Sequence, residues 1–414
     1  MTTPDQRRTS PDDAIRRLAL ARLVSVIGSM AAYTALVDLV FTRSGGSPVA
    51  VSVAVLATIG AVGLLGPIGG WIADRWDRKR AMVASDLVSA GLFAILAVVD
   101  PLWLLIAIAF LTALASTPFR AGSIAAIPNL VDDPTRLAAA NSRLAIAANL
   151  GIVLGPGLGG LLVGIVGAGS VFVINAVSFV ASAWLVWSIR RPFGGADRSA
   201  DGTVAARPVP PDGGLLAGFG LLRRDRVLLV VVLACTILHF GAGLSIVADR
   251  PIADLFGVGP TGFGLMLGLY GIGAVVGAWL ASRLTASTEV TAIVSGFVIA
   301  GIAGLCVWLA PFFALVVAAN LAWGVGDAAS VVGRAGLFQR RSPDAIRGRV
   351  AAANESVMNV TLMAGMLIGG PLIAAMGPQA AYGLAGVLSL GAAALASTVI
   401  VGARRTAAEA ITAG

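Results

Sequence analysis

The sequence predicts an all-α integral membrane protein of twelve transmembrane helices arranged as two six-helix halves. Three observations predict it. Of the 414 residues, 57% are apolar and only 12% charged, against about a quarter charged in a soluble domain. Long apolar runs recur from Leu18 to Gly402, most close to the ~20 residues with which a helix crosses a ~30 Å hydrocarbon core. Short motifs also return, in order, about half a chain later.

The predicted spans are 18–41, 49–73, 81–99, 102–125, 144–166 and 171–188, then 227–247, 262–281, 290–309, 312–332, 356–376 and 382–402. Runs such as 144–166 and 227–247 are apolar on every face, whereas transmembrane β-strands alternate in segments of ~10 residues. The first run follows a basic N-terminus, but it is too long for a secretory signal and lacks a small-residue cleavage site. The 52 glycines suit helices that associate in lipid by close backbone approach. Cys235 and Cys306 fall inside apolar runs and carry neither a disulfide framework nor metal spacing.

The formal net charge of +8 sits in the loops between spans and not on a separate domain, so it reports topology and not nucleic-acid binding. One set of alternate loops carries Arg75, Arg78, Lys79, Arg80, Arg136, Arg190, Arg191, Arg340, Arg341, Arg347 and Arg349; the other has only Arg43 and Arg250. By the positive-inside rule the Arg-rich side is cytoplasmic. The chain then divides into a cytoplasmic N-terminus (1–17), a six-helix half (18–188), a cytoplasmic linker (189–226), a second half (227–402) and a cytoplasmic tail (403–414). Within the linker, Leu215, Leu216, Phe219 and Leu222 recur at helical spacing beside Arg223 and Arg224, the pattern of an interfacial amphipathic helix.

The internal repeat is ordered. Gly63, Gly69, Trp71, Ala73 and Arg75 return as Gly271, Gly277, Trp279, Ala281 and Arg283. Arg120-Ala121-Gly122 returns as Arg334-Ala335-Gly336, and Arg136 to Asn141 as Arg349 to Asn354. Nearly equal offsets of about 210 residues indicate a duplicated unit in parallel orientation.

The stretch Gly70-Trp71-Ile72-Ala73-Asp74-Arg75-Trp76-Asp77-Arg78-Lys79-Arg80 closes span two. It resembles the loop signature of the major facilitator superfamily, in which a Gly precedes an Asp-Arg pair and a basic cluster. Pro118 to Val131, Asn175 to Phe179 and Leu221 to Asp225 are similar to the branch of enterobactin-exporter-like and macrolide-efflux-like proteins. The resemblance implies the major facilitator fold, with inverted repeats nested in each half, an architecture for which this superfamily is itself the standard example. It also assigns Gly70, Asp74, Arg75 and Arg78 to a conformational latch. Gly151 and the run Gly155-Pro156-Gly157-Leu158-Gly159-Gly160 resemble the Gly-Pro motif of antiporting exporters, with Ser142 in place of its upstream Gly. The same run also reads as a packing face with a Pro kink, built from Gly151, Gly155, Pro156, Gly159 and Gly160.

Ionisable residues inside a membrane need a partner or a wet cavity. Asp38, Arg120, His239 and Asp327 fall in spans one, four, seven and ten, and Arg334 just beyond the last of these; the resemblance implies that those four spans line a central cavity. Asp86 and Glu355 lie near the ends of spans three and eleven, where capping or solvation accounts for them. Asp327 is the first candidate for proton coupling, followed by His239, the one His in the sequence, and Asp38. Arg120 and Arg334 supply cavity charge. Asp327 either exchanges a proton or is fixed in an ion pair with Arg120 or Arg334.

The expected function is proton-coupled export of an amphipathic small molecule such as a drug, siderophore or other metabolite, by alternating access. The expected setting is the inner membrane, as a monomer, with no cofactor and no nucleic-acid partner. No phosphate-binding loop is present to couple ATP. Two alternatives stand beside it: uptake on the same scaffold, and an integral-membrane enzyme holding Mg²⁺ at Asp132-Asp133, a pair without further nearby carboxylates.

Overall fold

A computed structural model describes residues 9–61, 75–194, 217–283, 285, 288–343 and 346–412; Gly70 and Asp74 of the expected latch lie outside them. Every regular element among the described residues is helical. Helix α1 (Pro11–Arg43) is followed by α2 (Pro48–Val55), which loosens into a π-turn over Leu56–Gly60. Next come α3 (Arg78–Leu96), α4 (Leu102–Ala125) and α5 (Leu137–Trp187). The amphipathic α6 (Ala217–Arg224) precedes α7 (Arg226–Leu255), α8 (Gly259–Ala281), α9 (Glu289–Trp308), α10 (Phe313–Arg341), α11 (Arg347–Met376) and α12 (Pro378–Thr412).

Nine of the described helices are long and apolar enough to cross a membrane. One of them, α5, breaks at Gly167, where φ 79° and ψ 161° are non-helical, into two passes of its own. With α2 and α3 the passes number twelve, as the sequence predicts. The break recurs in the second half: Gly377, between α11 and α12, has φ 83° and ψ 161°. This corner of backbone space is open essentially to glycine alone, so the duplicated halves turn the same corner with the same residue.

The chain forms two compact units. The first holds α1, the last residues of α2 from Val53 with the π-turn, and α3 to α5, together with Gly259–Leu265. In it α1 lies along both arms of α5. A Cβ added at Gly151 would fall 2.6 Å from Val26 Cγ1, and one at Gly159 would fall 2.6 Å from the Ala31 backbone. A Cβ at Gly155 would overlap Met30, and Gly28 of α1 faces Asn175 of the second arm. Gly160 meets the backbone of Pro260 and Gly264. The Gly-Pro run is thus a contact face, where small residues let backbones meet.

The second unit holds α6, α7, the remainder of α8, and α9 to α12, with Ser47–Ser52. It repeats the first arrangement. Helix α7 lies against α11 and α12, with Gly243 facing Leu362 and Met366, and a Cβ added at Gly241 would fall 3.1 Å from the Ala385 Cα. The repeated Arg-Ala-Gly motif has the same packing task twice: Gly122 of α4 accommodates Met82 of α3, and Gly336 of α10 accommodates Glu289 of α9. Gly218 of α6 abuts Arg349 at the start of α11.

Large apolar side chains stay exposed on the outside, among them Ile165, Val177, Trp184 and Trp187 on α5 and Leu309 after α9. In a bilayer this is the surface that faces lipid, and water would penalise it. The protein is a multi-pass membrane protein.

Three expectations need correcting. Helix α1 begins at Pro11, not at residue 18, because Ser10 caps it by accepting from Asp13 N at 3.2 Å and because Ala14 and Ile15 are buried. Asp86 caps nothing: Asp77 is the cap of α3, accepting from Arg80 N at 2.8 Å, and Asp86 is fully buried two turns further on. Arg250 is no loop residue, since α7 runs on to Leu255 and buries both Asp249 and Arg250. Their charges are accommodated there because Tyr382 donates its hydroxyl to Asp249, and Arg250 pairs with Asp254 at 3.4 Å.

Candidate functional site

Each unit contains a polar centre. In the second unit α7, α8 and α10 bring together the residues that the sequence singles out. The Tyr270 hydroxyl of α8 donates to Asp327 Oδ2 of α10 at 2.8 Å. Gly324, just before Asp327, permits this approach, because a Cβ there would overlap the Tyr270 carbonyl oxygen and stand 2.9 Å from Ala274 N. Two turns beyond Asp327, Arg334 is buried and bonded to the Cys235 sulfur of α7, near enough to Asp327 and Glu355 to feel their charge. His239, one turn after Cys235, donates from Nδ1 to the Cys235 carbonyl at 2.8 Å and faces the same charges of Arg334, Asp327 and Glu355. Asp327, His239 and Arg334 therefore share one site. Glu355 is exposed on α11.

The first unit holds a cavity of about 400 Å³. Most of its lining comes from α1 and α4, with Thr58 and Ile59 carried in by the π-turn after α2, Phe93 and Leu96 by α3, and Phe179 by α5. Arg120 of α4 lines it. Asp38 is buried on α1 beyond the lining residues and belongs to the first unit, whereas Asp327 belongs to the second.

Of the latch residues, Arg75 is exposed where the described chain resumes. Arg78 Nη1 donates to the Ala125 carbonyl at the end of α4 at 3.2 Å, and Lys79 Nζ donates to Ile189 O at 2.7 Å. The basic cluster thus grips the ends of neighbouring helices. Asp132 forms a bidentate pair with Arg191, 2.9 and 2.8 Å, and Asp133 caps the turn at Thr135. Both carboxylates of that pair are engaged in holding the loop, and no cluster of three or more metal-ligating side chains occurs among the described residues.

Sequence reasoning missed Arg22, Tyr270, and the buried Asp249 with its partner Tyr382. Arg22 stands one turn into the first predicted span, where basic residues ordinarily mark the interface. Nothing in a lone Tyr within an apolar run distinguishes a carboxylate partner from packing. Asp249 falls two residues past the predicted end of span seven.

The family model described as Major Facilitator Superfamily matches residues 18–249 and 239–413. The chain belongs to this superfamily. Among its relatives, the uncharacterized MFS-type transporter YfiS of Bacillus subtilis is 25% identical over 390 residues, covering 90% of this chain and 89% of that protein. Macrolide efflux protein A of Streptococcus pyogenes is 22% identical over 205 residues, 48% of this chain and 49% of that protein. Solved structures share the fold. A POT family transporter in complex with a thioalcohol-conjugated peptide superposes with a TM-score of 0.70 at 14% identity, covering 94% of this chain and 96% of that one. A bacterial homolog of the human lysosomal transporter Spinster gives 0.68 at 14% identity, covering 92% and 95%. This major facilitator protein is accordingly a transporter.

Proposed function

We propose that this transporter exports an amphipathic small molecule from the cytoplasm in exchange for protons, acting as a monomer in the inner membrane with both termini and the Arg-rich loops on the cytoplasmic side. The observation that carries the coupling step is the Asp327 carboxylate, held by Tyr270 and facing Arg334 and His239 within one helical unit. An ionisable carboxylate inside a membrane is costly to keep and commonly marks a proton relay. Binding and release of a proton there during alternating access would make proton movement obligatory. Export is supported by the partial likeness to a macrolide efflux protein and by the Gly-Pro run at Gly155 and Pro156. The Arg-rich loops support the orientation.

Uptake is the second reading, favoured by the fold likeness to a peptide-bound POT family transporter. Everted membrane vesicles separate the two. Energised to be acid inside, they accumulate an exported compound added outside, at the cytoplasmic face; an uptake carrier energised the same way accumulates nothing.

A further inference from the structure

The repeat register exposes an asymmetry of charge between the halves. Arg120-Ala121-Gly122 in α4 aligns with Arg334-Ala335-Gly336 in α10. Two helical turns before Arg334 stands Asp327, whose charge Arg334 feels. Two turns before Arg120, the equivalent position is Ala113, a methyl group in the cavity wall. The first half has kept the cation of the pair and lacks the anion.

A second cation reinforces the first. Arg22 of α1 also lines the cavity, and the two guanidinium groups repel one another. The hydrogen-bond partner of Arg22 is a neutral hydroxyl, Ser123 Oγ at 2.6 Å. Among the described residues that line the cavity there is no Asp or Glu. Elsewhere arginines of this protein stand against carboxylates, as Arg136 does with Asp12 and Arg191 with Asp132. Arg22 is half-buried and Arg120 is exposed, so both charges are available to a ligand in the cavity, and a guanidinium is shaped to take a planar or tetrahedral oxyanion through two parallel N–H bonds.

We propose that this cavity is a binding site for an organic anion: Arg22 and Arg120 hold its carboxylate, sulfonate or phosphate, and the apolar walls at Met30, Phe93 and Phe179 hold its hydrocarbon part. The inference rests on the transport reading only for its consequence, that the molecule carried is an amphipathic anion and not a cation. Arg120 and Arg22 act as ligand-binding residues, and Ala113 sets specificity by leaving the counter-charge to the ligand.

Three probes with one aromatic body and different charge test this on the full-length protein in lipid nanodiscs: dansylglycine (anionic), dansylglycinamide (neutral) and dansylcadaverine (cationic). Saturable binding of dansylglycine is expected, at least ~10-fold tighter than that of either other probe, since a hydrogen bond to a charged group is worth that factor or more. Arg22→Gln and Arg120→Gln should each weaken it ~10-fold, with Arg120→Lys weakening it less than Arg120→Gln because the charge stays while the fork is lost. Ala113→Asp, which supplies an internal counter-ion without removing either arginine, should abolish dansylglycine binding while the protein remains folded. Equal binding of the three probes, unchanged affinity in the Gln and Asp variants, or no saturable binding of dansylglycine would each overturn the proposal. Accumulation by acid-interior everted vesicles keeps the two readings apart. Selective anion binding without accumulation upholds the site and contradicts transport, whereas driven accumulation of dansylcadaverine, insensitive to Arg22→Gln and Arg120→Gln, upholds transport and contradicts the site.

Discussion

The Tyr270 hydroxyl donates to the Asp327 carboxylate over 2.8 Å, tying α8 to α10 at a carboxylate that also faces Arg334 and His239. Removing that donor leaves the carboxylate in place without the hydroxyl that ties it to α8. Tyr270→Phe should therefore lower the initial rate of proton-driven transport by about 10-fold and leave the apparent affinity for the transported compound near wild type. Initial rates in proteoliposomes at varied compound concentration read both quantities, and a wild-type rate in Tyr270→Phe would show that this hydrogen bond plays no part in coupling.

The contact of α1 with the first arm of α5 depends on residues without side chains. Gly155→Leu would drive a side chain into Met30 and the Ile27 carbonyl, so the two helices must separate or the pair must misassemble. The expected outcome is loss of transport together with a lower thermal midpoint in detergent. Wild-type transport in Gly155→Leu would show that α1 and α5 do not meet along this face in the bilayer.

Gly167 and Gly377 make the two turns at which consecutive spans reverse, each with a backbone conformation closed to other residues. A Cβ at either would touch nothing within 4 Å, which isolates the conformational cost from any clash. Gly167→Ala and Gly377→Ala should each destabilise the protein by about 1–3 kcal/mol. Detergent unfolding should show similar losses for both if the repeat extends to these corners, and no loss for either if other backbone angles are as good.

Asp74 belongs to the loop signature together with Arg75 and Arg78, and Arg78 grips the end of α4 through the Ala125 carbonyl. The family resemblance implies that a carboxylate at this end of span two can face the positive N-terminal dipole of span eleven. Asp74→Asn should abolish transport yet leave membrane insertion and expression near normal, because one loop charge hardly changes the Arg excess that sets topology. Full transport rates in this variant would reduce the motif to a topology signal.

The fold was legible in the sequence because its causes are local. Apolar runs such as 144–166 give the spans, and the repeated motifs give the halves. The corner at Gly377 stands one residue past the predicted end of span eleven, and Gly167 one past the end of span five. Helix ends were less legible, since what fixes them is tertiary. Helix α1 starts early because Ala14 and Ile15 find a core made by Leu130, Leu144 and Val186, and α7 continues past Val247 because Tyr382 receives Asp249. Single charges could be found but not paired. Asp327 was visible as a carboxylate deep in an apolar run, whereas its partner Tyr270 is 57 residues away and brought close only by Gly324. Arg22 was visible only as one basic residue among several near a span end, and its role emerges when α4 places Arg120 in the same cavity.

Proton coupling through Asp327 is tested most directly by proton flux. Wild-type protein and Asp327→Asn are reconstituted in liposomes containing a pH-sensitive dye, and a gradient of a compound shown to accumulate in everted vesicles is imposed with no initial pH difference. Wild-type protein should move protons against the compound's flow, seen as a change of internal pH that collapses with a protonophore. Asp327→Asn should still exchange labelled for unlabelled compound but move no protons. Substrate-driven proton flux at the wild-type level in Asp327→Asn would contradict the account and move the coupling site to His239 or Asp38.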